Sequence, residues 1–206
     1  MPRFGETSVI GNEVVMSSSN VICHVVLSVT AFFLGGCGQQ AALSVKTLSP
    51  KASAQKALEK YDANQDGALD QTECSAGLRA LFPTSDEDQN GKLSLEEIQK
   101  RLQFHDDQKV GLITATANLT SSSTSVEGLL VKLIPDPVFT GLPSAKGSAD
   151  KNGFVVFQSD GESIPGVRPG VYSIVIIESG EERNLNTGIE IGQTVNRGTP
   201  EINIDQ

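Results

Sequence analysis

A chain of 206 residues with 38% hydrophobic and 20% charged residues is long enough for one or two globular cores and too apolar to be disordered. Its net charge of -9 argues against nucleic acid as a partner, because phosphate binding needs clustered Lys and Arg and none appears. Three cysteines cannot make a disulfide framework, and with no Trp and two Tyr an aromatic sugar-binding face is not expected.

Residues 21–36, VICHVVLSVTAFFLGG, are an apolar run that is short for a membrane span and suits the core of an export signal. The run ends in Leu34-Gly35-Gly36-Cys37, which resembles the lipobox of bacterial lipoproteins. That resemblance implies cleavage before Cys37 and a lipid on its thiol, hence an exported chain anchored to an envelope membrane. Only Arg3 is basic ahead of the run, while Glu6 and Glu13 oppose it; a start at Met16 would remove both acids. The expected division is 1–36 as signal peptide, 37–48 as tether, 49–107 as a helical unit and 109–206 as a β unit.

Ser49 followed by Pro50 predicts a helix start, with Ala54, Ala57, Leu58 and Tyr61 on one apolar face. Two twelve-residue loops then match D-x-[DN]-x-[DN]-G-x5-E in full. The first offers Asp62, Asn64, Asp66, Ala68, Asp70 and Glu73, and the second Asp86, Asp88, Asn90, Lys92, Ser94 and Glu97. This spacing suits a hard cation that takes six to eight oxygens: side-chain oxygens at positions 1, 3, 5 and 9, a backbone carbonyl at position 7, and both oxygens of the final Glu. Gly67 and Gly91 fall at position 6, where the chain must turn with positive φ. The loops are therefore expected to bind two Ca²⁺ as a paired EF-hand unit, with Leu69 and Leu93 side by side in a short strand contact.

Between the loops, residues 74–85 leave room for one shared helix, with Leu78, Leu81 and Phe82 inward, Cys74 as a small buried hydrophobe and Pro83 as the end. Leu95, Ile98 and Leu102 continue the apolar stripe until Asp106-Asp107. Loop one carries four carboxylates and loop two three, with Ser94 acting through a water, so loop one is expected to bind more tightly. Lys92 is expected to point to solvent.

From Lys109 onward the pattern changes to short β-rich runs, at 110–119, 126–134, 146–149, 154–157, 171–177, 187–191 and 201–204. The Asn152-Gly153 turn predicts a hairpin that returns the Phe154 strand to 146–149, and Glu181-Glu182 beside Arg183 reads as a turn. The run from Val171 is apolar on both faces, as a central strand would be. The expected class is α+β, a small helical loop pair followed by a seven-stranded antiparallel β-sandwich.

Gly128, Val131 and Leu133, then Asp150, Gly153 and Phe154, then Gly166, Pro169, Gly170, Tyr172 and Ile174 resemble the transthyretin-like, or carboxypeptidase regulatory-like, sandwich. The join of such a domain to compact calcium loops behind a lipobox, with Asn186-Thr187 late in the chain, resembles a group of planctomycete envelope lipoproteins. Where that family has a tight D-G turn, this chain has the longer Ser121–Ser125 loop. The resemblance implies an interaction or structural role with an envelope protein as partner; a dockerin-like docking module or a regulatory subunit of an envelope enzyme are the alternatives. No catalytic set stands out: His24 lies in the signal, and His105, on a solvated helix end by this reading, has no Ser or Cys motif to work with. A zinc site would need more His or Cys.

Overall fold

Ser49 and Pro50 start the first helix as their chemistry predicts. In the computed structural model, residues 49–192 and 198–205 are described, and they belong to one compact unit, Ala42–Gln206. The export signal, Cys37 and the tether lie outside the described residues. Helix α1, Pro50–Tyr61, is capped by the Ser49 hydroxyl, which accepts from the Ala52 amide. The last helix, α4, Leu95–Asp107, starts on a capping box in which Ser94 accepts from the Glu97 amide while the Glu97 carboxylate accepts from the Ser94 amide. No helix of the described residues is long and apolar enough to cross a membrane.

Between them stand two short helices, α2 (Ala76–Arg79) and α3 (Phe82–Ser85), rather than one. Pro83 does not end a helix; it sits in the first turn of α3, where its missing N–H leaves no bond unmade. Leu78, Leu81 and Phe82 are buried as expected. Cys74 is buried too, but in the bend before α2. Two three-residue strands, β1 (Ala68–Asp70) and β2 (Lys92–Ser94), pair antiparallel with Leu69 opposite Leu93.

The chain after α4 forms two sheets, so the class is mixed α and β. A three-stranded sheet holds β3 (Thr116–Thr120), β6 (Phe154–Val156) and β10 (Glu201–Asn203). A five-stranded sheet runs β7 (Gln158–Ser159), β5 (Ala145–Ser148), β4 (Leu130–Pro135), β8 (Gly170–Glu178), β9 (Glu181–Ile191). Each of the seven expected runs contributes a strand, and β7 is an eighth. Most neighbours are antiparallel, but β10 runs parallel to β3.

The Asp150–Gly153 turn forms, with Gly153 at φ +82 and its amide bonded to the Asp150 carbonyl. The strand it launches goes elsewhere than expected. Phe154–Val156 pairs with β3 and forms no ladder with the preceding strand, to which a single bridge, Ala149 with Val155, joins it. At Phe157 the chain crosses to the other sheet, where β7 joins β5. Glu181 and Glu182 lie in β9 rather than in a turn, because Ser179 and Gly180, both with positive φ, form the two-residue reversal. The Ser121–Ser125 loop folds over the end of β10: the hydroxyls of Ser121, Ser122 and Ser123 and the amide of Ser122 all donate to Asp205. These bonds hold the Asp205 carboxyl well below the usual carboxylate range.

Strand β8 explains how the two parts join. Tyr172, Ile174 and Ile176 point into the core between the sheets with Val131, Leu133 and Phe157, whereas Val171 packs into the helical core with Leu78, Leu81 and Ile98. Both faces are covered, as the sequence pattern implies, and the cover on the second face is the helical unit itself. Strand β9 bulges where Leu185 to Thr187 oppose the single stretch between Ser173 and Val175, with Asn186 at φ +54. Arg79 of α2 donates to the Asn186 carbonyl at 2.9 Å, so the bulge is also a docking point for that helix.

Candidate metal centre

Each loop is closed by the same set of hydrogen bonds. The carboxylate at position 1 accepts from the amides at positions 5 and 6: Asp62 from Asp66 (3.2 Å) and Gly67 (3.0 Å), and Asp86 from Asn90 (3.0 Å) and Gly91 (3.0 Å). Positions 4 and 6 both have positive φ, with Gln65 at 60° and Gly67 at 83°, then Gln89 at 57° and Gly91 at 79°. A Cβ at either glycine would meet nothing within 4 Å, so glycine is there for the backbone angle and not for space. The position-12 carboxylates reach back across their loops. Glu73 accepts from the amides of Ala63, Asn64 and Asp70, all at 3.1 Å, and Glu97 from the amides of Glu87 and Ser94, both at 2.9 Å.

The two sets of residues expected to bind cations are not brought together alike. Among the described residues, the acids whose oxygens approach one another closely enough to hold one ion are Asp86, Asp88 and Glu97 of the second loop, within 4.8 Å. Two calcium–oxygen bonds of about 2.4 Å span that distance, so the geometry fits a cation of that size. Asn90 donates its side-chain amide to Asp88 at 2.8 Å while its Oδ1 accepts from the Lys92 amide at 2.8 Å, and the carbonyl of Lys92 lies in β2 at position 7. The Ser94 hydroxyl donates to Glu97 at 2.7 Å, serving the helix cap.

In the first loop, Asp66 is turned to Lys92, whose ammonium forms an ion pair with it. Lys92 thus does not point freely to solvent; it crosses from the second loop to a ligand position of the first. The pairing lowers the Asp66 carboxyl below its ordinary value and raises the Lys92 ammonium. Asp70 is engaged by Thr72, whose amide (2.7 Å) and hydroxyl (2.6 Å) both donate to it. The fourth carboxylate that favours loop one is thereby set against a lysine drawn into that loop. Asn64 accepts from the Asp66 amide at 2.9 Å, and the Ala68 carbonyl lies in β1, across from Ser94.

Around these loops lie two carboxylates of the β part that local sequence could not connect with them. Asp136, 1% exposed after β4, accepts from the hydroxyls of Ser75 and Tyr61. Glu190, 3% exposed in β9, accepts from Thr84 (2.9 Å), Arg101 (2.5 Å) and His105 Nε2 (2.7 Å). Burial disfavours the charge on Glu190, but the hydrogen bonds from His105 and Arg101 outweigh it and the carboxyl is lowered. His105 consequently stands at a helix end that is not solvated: it is 7% exposed, edge-on to Phe104 and Phe139. Three donors meet on the Glu190 carboxylate, while the other ring nitrogen of His105, Nδ1, is buried without a hydrogen-bond partner among the described residues.

Burial pushes the Cys74 thiol up to about 12, with Arg79 opposing and the neighbouring acids adding to the rise, so the thiolate is disfavoured there. In the native chain at pH 8, peptide mapping after exposure to a thiol reagent should find Cys74 unlabelled, with labelling appearing in urea; rapid native labelling would contradict its burial. No protein-family model, curated protein or solved structure matches the chain.

Proposed function

We propose that the chain binds two calcium ions through an EF-hand pair and is an exported, lipid-anchored envelope protein with a structural or protein-interaction role rather than an enzyme. The observation that supports the calcium part of this reading is the duplicated loop closure. Two full ligand patterns, 24 residues apart from Asp62 to Asp86, take the same positive-φ positions and position-1 and position-12 bonds. A surface turn needs one of these features and not the whole set twice. The following β part is read as a seven-stranded antiparallel sandwich of the transthyretin-like kind, with β7 and the parallel closure by β10 as departures. Calcium, when bound, supplies the positive charge that lets seven carboxylates at ligand positions coexist; the chain supplies their spacing.

Calorimetry on the full chain in detergent should show two calcium ions bound, with affinity between about 10⁻⁶ and 10⁻³ M as for sensors and extracellular modules. Glu73→Gln and Glu97→Gln should each abolish one site. A chain that takes up no calcium under these conditions overturns the reading. The anchor has its own test, because Cys37→Ala should end fatty-acid labelling and release the chain from membranes. Retention of both label and membrane association would rule out Cys37 as the attachment point.

A further inference from the structure

We infer that Asp136 and Glu190 are positioning residues for the two loops, Asp136 for the first and Glu190 for the second; this rests on the calcium reading above. The assignment follows from what each carboxylate touches. Asp136 accepts from Tyr61, the residue before Asp62 at position 1, and from Ser75, two residues beyond Glu73 at position 12. Glu190 accepts from Thr84, two residues before Asp86 at position 1, and from Arg101 and His105, one and two turns beyond Glu97 at position 12. Each carboxylate therefore bridges the segment that enters one loop and the segment that leaves it. The separation of those flanks sets how far the position-1 and position-12 ligands stand apart.

Both carboxylates are fixed from behind by the same strand. The Asp136 amide donates to the Val171 carbonyl at 2.9 Å, and its Oδ1 accepts from the Val138 amide at 3.0 Å. Glu190 is the direct β9 partner of Val171. Val171 is itself buried in the helical core, so the two acids flank a side chain that the helices clasp. Each acid is buried with donors aimed at its oxygens, so removing it would leave those donors without an acceptor. The sheet thus sets the span of each loop separately, in the way that outer hydrogen-bond partners orient metal ligands they do not touch the metal beside.

The test uses single-site backgrounds of the full chain in detergent. With Glu97→Gln leaving only loop one, Asp136→Asn should weaken calcium binding about tenfold or more, while Glu190→Gln changes it less than about threefold. With Glu73→Gln leaving only loop two, the order should reverse. Thr84→Val and Ser75→Ala, milder changes at the other end of the same bonds, should carry the same signs if either acid substitution prevents folding. A purely structural role would lower both sites together, and that outcome, or no change at either, overturns the inference while leaving calcium binding intact. A parent chain that binds no calcium would remove the calcium reading first.

Discussion

From the proposed calcium binding, EDTA is expected to lower the thermal midpoint of the full chain by about 10–20 °C. With the metal gone, Asp62, Asp66, Asp70, Glu73, Asp86, Asp88 and Glu97 are left around two small loops with Lys92 as the cation among them. Calcium at a hundred times its dissociation constant stabilises a protein by about 2.7 kcal/mol per site, so two sites give about 5 kcal/mol. For a unit of 150–250 residues each kcal/mol is worth about 2–4 °C. The loss should not be confined to the helices, because Val138 and Val171 of the β part belong to the helical core. The two tyrosines make this measurable: Tyr61 stands at the mouth of loop one and Tyr172 is buried between the sheets. Near-ultraviolet circular dichroism should report both in one transition with the far-ultraviolet helix signal. An unchanged midpoint would count against a structural role for the metal, and helix loss with an intact Tyr172 signal would mean that the two parts fold separately.

The parts of this molecule that were legible in the sequence are those decided by near neighbours. Ser49 with Pro50 is capping chemistry between adjacent residues, and α1 starts there; Ser94 and Glu97, read in the sequence as loop ligands alone, also form the capping box that starts α4. The positive-φ turns at Gly67 and Gly91 and the apposition of Leu69 and Leu93 follow from a twelve-residue pattern used twice. The apolar alternation on both faces of β8 announced a central strand, but it could not say that helices cover one face. What escaped is set by distant contacts. Gly147 and the Val155–Val156 backbone pass so closely that a Cβ at Gly147 would stand 2.5 Å from the Val156 carbonyl oxygen, an intersheet crossing in place of an ordinary hairpin ladder. His105 looked solvated beside Asp106 and Asp107 because its partner, Glu190, is 85 residues further on. Lys92 looked free because the acid it meets belongs to the other loop, 26 residues back.

Gly188→Ala is expected to destabilise the chain by about 1–3 kcal/mol, the cost of forcing one methyl into packed surroundings, and to weaken loop one as well. Gly188 lies in β9 just past the bulge, under the first turn of α2. A Cβ there would collide with the Ala76 carbonyl oxygen and stand 2.7 Å from both the Ala76 carbonyl carbon and the Gly77 Cα. All three are backbone atoms, so no side chain can swing away and α2 must lift from the sheet. That movement would pull Leu78 from the helical core, break the bond from Arg79 to the Asn186 carbonyl, and draw Ser75, the N-cap of α2, from Asp136. The opposite side of the same contact supplies the control. A Cβ on Gly77 would find its nearest heavy atoms at 3.4 and 3.5 Å, ordinary contact, and alanine is better than glycine inside a helix by about 1 kcal/mol. Gly77→Ala should therefore be neutral or mildly stabilising. Urea unfolding in saturating calcium, read as the midpoint of each variant, separates the two: equal midpoints for Gly188→Ala and the parent chain would show that α2 does not seat on Gly188 as closely as described.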